Sequence, residues 1–142
     1  MYGNASEYLL RFLQVLQNKV ARIVTRLSWD TGIDVLLSQV GWLSIRQLYV
    51  YHSLITVFKM RKGGKPEYLR EKFRNDFTYK TRLATGQCFN VHETPKTEKS
   101  RKSYVHNTTY WWNSLSPDMR KTEKLQAFKQ DLKKWIKINV PI

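Results

Sequence analysis

The segment Leu43-Ser44-Ile45-Arg46-Gln47-Leu48 constrains this chain more than any other, because it opens a helix that needs neighbours on nearly every side. Ser44 and Gln47 have the spacing of a capping box, and Leu43 and Leu48 hold the two positions of a hydrophobic staple. The helix they start is expected from Ile45 to about Arg61, ending at Gly63-Gly64. Its apolar residues Ile45, Leu48, Tyr49, Val50, Tyr51, Leu54, Ile55, Val57 and Phe58 go most of the way round. A helix of that kind is the buried centre of a bundle. The chain is therefore expected to be mainly α, a helical bundle.

The partners for that centre can be read on either side. From about Ser6 to Leu27, Leu9, Leu13, Leu16, Val20, Ile23, Val24 and Leu27 fall on one stripe, with Arg11, Gln14, Asn18 and Arg22 opposite. The expectation is one long amphipathic helix that lays its apolar stripe on the core, with Ser6 or Asn4 as cap. A shorter helix is expected over 33–40, with Asp30 and Thr31 as candidate caps and Gly41 as its left-handed terminator. Pro66 suits the first turn of another short helix holding Tyr68, Leu69 and Phe73. From about Arg74 to Ser103 periodicity fades into a long basic loop, within which Cys88-Phe89-Asn90-Val91 could form one short extended segment. Order returns with an aromatic helix over about 104–115, a Ser116-Pro117-Asp118 helix start, and a last helix over about 123–138. That last helix is expected to bury Leu125, Phe128, Leu132, Trp135 and Ile136 and to expose Lys124, Lys129, Lys133, Lys134 and Lys137. Nothing repeats internally, and no coiled-coil seam is long enough to assign. At 142 residues the organisation expected is a single domain: a helical core over 1–73, a basic loop-rich insertion over 74–103, and C-terminal helices over 104–142.

Charge narrows the partner. There are 25 Lys+Arg against 11 Asp+Glu, a net +14, and such an excess points to a polyanion. Residues 1–58 carry only +2 and residues 59–142 carry +12, so the second part is the electrostatic surface. Lys59, Arg61, Lys62, Lys65, Arg70, Lys72, Arg74, Lys80 and Arg82 alternate with Tyr68, Phe73, Phe77 and Tyr79, and Lys96, Lys99, Arg101 and Lys102 form a second cluster. Cations of this kind neutralise phosphates, and aromatics can stack on unpaired bases. Nothing in the pattern specifies base readout, so any nucleic-acid binding is expected to be to backbone and shape. Two blander readings stand beside it. Basic helix faces are often solvated surface, and Tyr68, Phe73, Trp112 and Trp135 suit a core. The last helix, with lysines opposite Leu, Phe, Trp and Ile, also has the pattern of a helix lying on an anionic membrane or in a protein groove.

Catalysis finds no footing in these residues. Two-metal chemistry needs convergent carboxylates, and no two acidic residues are adjacent anywhere. Cys88, His92 and His106 fall short of the four ligands of a structural zinc site, and a Cys88–His nucleophile lacks an orienting third group. No cofactor or metal is expected, and the chain is not expected to be an enzyme on its own. A lone cysteine excludes an intrachain disulfide, and apolar runs fall far short of the roughly 20 residues that cross a bilayer. With no leader-like N-terminus, the expectation is a soluble protein inside the cell, in nucleus or cytoplasm.

Several words of the sequence, in order, carry a resemblance. They are Tyr2-Gly3-Asn4, then Leu13-Gln14-Val15-Leu16-Gln17-Asn18-Lys19-Val20-Ala21-Arg22-Ile23, then Val40-Gly41-Trp42-Leu43-Ser44-Ile45. Phe58-Lys59 and Pro66-Glu67-Tyr68-Leu69 follow, then Trp112-Asn113-Ser114-Leu115-Ser116-Pro117-Asp118-Met119-Arg120 and a Phe128-Lys129 helix. Over roughly residues 2–135 the chain resembles the reverse transcriptases of non-LTR (LINE-type, jockey-like) retrotransposons, in the stretch after the catalytic palm. Val40 stands for the family's Leu, Ser116 for its Pro, and Met119 for its Ile. The resemblance implies the thumb and C-terminal extension of an RNA-directed DNA polymerase, an all-α region that grips primer–template by its backbone. The family's fingers, palm aspartates and endonuclease have no counterpart here, which implies a fragment without catalysis, such as a degenerate element copy or partial gene. The alternatives are a protein-interaction module docking on another polymerase or a host protein, or a fragment with no selected function.

Overall fold

The computed structural model describes residues 6–63, 68, 72, 73, 88, 89, 97 and 103–142. Helix accounts for 73% of them, and no strand occurs among the described residues, so the fold is mainly helical. Among the described residues six helices have bounds, in order α1 (Glu7–Thr25), α2 (Ile33–Val40), α3 (Ile45–Arg61), α4 (Tyr104–Ser114), α5 (Pro117–Lys121) and α6 (Leu125–Asn139). Cys88 and Phe89 have no regular structure, and Asn90 and Val91 lie outside the described residues. Of the short helix expected after Pro66, Tyr68 is helical and Phe73 lies in a bend, while Pro66 and Leu69 lie outside the described residues. Packing divides the chain into two compact units, one of Met1–Tyr49 with Trp135–Ile142, the other of Val50–Lys134.

In the first unit the α3 capping box closes as its spacing dictates. Gln47 N donates to Ser44 Oγ at 3.2 Å, and Ser44 N donates back to Gln47 Oε1 at 3.1 Å. Gln47 is buried, and its side-chain amide Nε2 donates to Val140 O at 2.9 Å. The α2 terminus is a Schellman turn: Gly41 is left-handed at φ 75°, its N–H reaches Ser38 O at 3.1 Å, and Trp42 N reaches Leu37 O at 3.0 Å. The expected caps of α2 are not used. Gly32 takes the cap position without a side-chain bond, and Asp30 is hydrogen-bonded to the Ser28 side chain, which holds its carboxyl below the ordinary value.

Helix α1 reverses its expected orientation. Leu9, Leu13, Leu16, Val20, Ile23 and Val24 are all exposed, and the buried residues are Asn18 and Ala21 from the other side. The reason lies in the start of α3. The first N–H groups of a helix have no intrahelical partner, and Gln14 Oε1 accepts one of them from Ile45 N at 2.9 Å. Gln17 Nε2 donates to Leu43 O at 2.8 Å, and Gln14 Nε2 donates to Gln17 Oε1 and Asn18 Oδ1, each at 2.9 Å. The polar face is thus committed to a backbone that needs it, and the apolar stripe is left outside.

The second unit is held by aromatic rings. Phe58 stacks on Phe128 with centroids 4.4 Å apart, Trp112 lies 6.0 Å from Phe128, Phe89 lies 5.8 Å from Trp112, and Phe73 lies 5.1 Å from Phe89. Each contributes about 2–3 kcal/mol by burial, with a further increment for ring geometry. Phe128 and Leu132 of α6 are fully buried here, as is Ile136 in the first unit.

Candidate nucleic-acid interface

The basic residues of the second unit separate into two groups according to what their neighbours need. Lys59 and Lys62, near the C-terminal end of α3, are three residues apart on one helical face and both exposed. Their charge also complements the negative end of the helix. Arg61 lies on the opposite side, half-buried, with its guanidinium carbon 5.3 Å from the Trp112 ring centroid and 5.8 Å from that of Phe89. Burial first, and the nearby Arg120 charge second, pull its pKa below the ordinary arginine value. Arg61 therefore covers the aromatic core, whereas Lys59 and Lys62 face water. Lys72 is exposed as well. Lys65, Arg70, Arg74, Lys80, Arg82, Lys99, Arg101 and Lys102 lie outside the described residues.

Helix α6 and the residue before it add cations on the side expected to be exposed. Lys124, Lys133 and Lys134 are exposed and Lys129 is partly so, with Lys133 Nζ lying 5.9 Å from the Tyr51 ring centroid. The opposite side of α6 is already occupied by protein, since Phe128, Leu132 and Ile136 are fully buried. The apolar face that a membrane would take is not available. In sequence the Val50–Lys134 unit carries 19 Lys+Arg against 8 Asp+Glu, or +11 of the total +14.

The word Trp112–Arg120 turns out to be structural. Trp112 and Leu115 are buried. Asn113 clamps Phe89 at two points, accepting from Phe89 N and donating to Phe89 O, both at 2.9 Å. Ser116 Oγ caps α5 by accepting from Met119 N at 3.4 Å, Pro117 fills the first turn, and Asp118 sits at the positive helix end. Arg120, itself buried, donates to Asn113 O at 3.0 Å and to Leu115 O, two carbonyls left over where α4 ends. Nothing at sequence level marked Asn113 as a clamp, because its partner is the backbone of a residue 24 positions earlier.

Aromatic placement decides what kind of nucleic-acid contact is open. Phe73, Phe89 and Trp112 are buried and unavailable to bases, and Trp135 is half-buried. Tyr68 is exposed, against the expectation of a core position, and Tyr110 is exposed too. Phe77 and Tyr79 lie outside the described residues. Among the described residues no three His, Cys, Asp or Glu side chains are grouped to hold a metal ion, and no helix is long and apolar enough to cross a membrane. Cys88 is buried, His106 half-buried, and His92 outside the described residues.

No protein-family model, no curated protein and no solved structure matches the chain. The likeness to LINE-type reverse transcriptases therefore rests on the sequence words and their order.

Proposed function

We propose that this chain is a non-catalytic nucleic-acid-binding region, the thumb and C-terminal extension of a LINE-type reverse transcriptase, which holds RNA or an RNA–DNA duplex by its backbone inside the cell, in nucleus or cytoplasm. The observation that carries the proposal is the division of labour within the second unit. Lysines at 59, 62, 72, 124, 133 and 134 face solvent, while the arginines at 61 and 120 and the rings of Phe73, Phe89 and Trp112 are turned to the protein. Exposed ammonium groups favour phosphate, and with Phe73, Phe89 and Trp112 buried, stacking in this unit is left to exposed rings such as Tyr68 and Tyr110. The resemblance implies the same mode of grip.

The test compares two RNA–DNA hybrids of equal length and unrelated sequence, by fluorescence anisotropy. The chain is expected to bind both alike. Substituting Lys59, Lys62 and Lys72 with Gln weakens both equally, by on the order of tenfold or more at low salt. A strong preference for one sequence, or indifference to the triple substitution, contradicts the proposal.

A further inference from the structure

The outward face of α1 has no partner within the chain's first unit. Leu9, Leu13, Leu16, Val20 and Ile23 follow one another at intervals of four, three, four and three residues, and each is between 38% and 76% exposed. Phe12 and Val24 flank this row at 54% and 61% exposure. Turning the helix to hide the row would strip Ile45 N and Leu43 O of the bonds that Gln14 and Gln17 supply. The exposure is thus built into the helix's own docking.

We infer that this face packs on the same face of a second copy of the chain, α1 against α1, as a short two-helix seam. The four–three spacing is that of residues in a two-stranded helical seam, where each side chain enters a hole on the facing helix. With Tyr8 and Val15 at its margin, the apolar surface offered is on the order of 800 Å² per copy, the share each partner gives to an ordinary stable interface and more than monomers usually leave open. Charge does not oppose the pairing. The first unit carries six Lys+Arg and three Asp+Glu, and no charged residue interrupts the row. In a parallel pair Lys19 lies beside Val24 of the second copy and Phe12 beside Gln17, so no like charges meet.

Sedimentation equilibrium of the full chain tests this without nucleic acid, in about 0.3 M salt, where exposed charges are screened within several ångströms. The expected result is a reversible monomer–dimer equilibrium between about 1 and about 200 µM, within the range seen for interfaces of this size. Leu16→Lys and Ile23→Lys each raise the dissociation constant about 30-fold or more, as substitutions at an interface centre do, with the helical circular dichroism unchanged. Ile138→Lys, on α6 at 83% exposure, leaves the dimer as it was. A monomer throughout the range, or a dimer indifferent to both α1 substitutions, overturns the inference. So does a monomer that uses Leu16 and Ile23 to bind lipid vesicles or another protein.

Discussion

Asn113 and Tyr104 show how much of the second unit rests on single polar side chains. Asn113 both accepts from Phe89 N and donates to Phe89 O, because an amide carries both functions on one rigid plane. Asn113→Ala is expected to cost about 2 kcal/mol, and Asn113→Asp, whose ionised carboxylate has no hydrogen for Phe89 O, less at low pH, where the protonated carboxyl regains a donor. Urea unfolding midpoints measure both. Tyr104 is half-buried, and burial raises its phenol above the ordinary tyrosine value despite the opposing hydroxyls of Ser53, Thr108 and Thr56. Because the folded pKa is the higher one, the fold holds the neutral phenol. That contribution is complete below about pH 10 and is lost as pH climbs through the folded value. Tyr104→Phe should therefore flatten the alkaline fall in stability, leaving the part due to Tyr51, whose pKa burial also raises. An unchanged alkaline limb would show that ionisation of Tyr104 does not contribute.

At the scale of the element, the start of α3 is the clearest case of sequence acting locally. Its capping box, its extent from Ile45 to Arg61 and the Gly41 terminator before it were all legible, because caps and turn glycines involve residues only a few positions apart. The third hydrogen bond of Gln47, to Val140 O, spans 93 positions and left no local signal. It yields a prediction. Gln47→Glu keeps the acceptor for Ser44 N but buries a carboxylate with no hydrogen to give Val140. The variant should be destabilised by about 1–3 kcal/mol at pH 7. It should approach the parent as pH falls and the carboxyl protonates, since a raised folded pKa gives stability at low pH that is lost as pH rises. Parallel thermal melts of parent and variant across pH read the difference directly. Helix α1 marks the opposite limit. Periodicity located the helix and its two faces, but which face turns inward was settled by the N–H of Ile45, 31 positions from Gln14, and the carbonyl of Leu43, 26 positions from Gln17. An apolar stripe is a statement about what should be covered, not about what covers it.

Over the whole molecule, charge is the property most directly readable from sequence, because net charge needs no fold. What the fold adds is which cations are free to meet a polyanion. Lys59 and Lys62 reach solvent, and Arg61 between them is drawn onto Trp112 and Phe89. Arg61→Met is accordingly expected to lower stability by about 1 kcal/mol while changing nucleic-acid affinity less than Lys59→Gln or Lys62→Gln does. Equal losses of affinity from all three would place Arg61 at the phosphate as well. The central claim is that binding is electrostatic and directed at the backbone, and the dependence of affinity on salt tests it most directly. For an RNA–DNA hybrid of mixed sequence titrated between about 50 and about 200 mM salt, the logarithm of the binding constant should fall steeply and linearly against the logarithm of salt, by close to one unit of slope for each phosphate neutralised. Tight binding that is flat across that range, or no binding at its low end, would contradict the account.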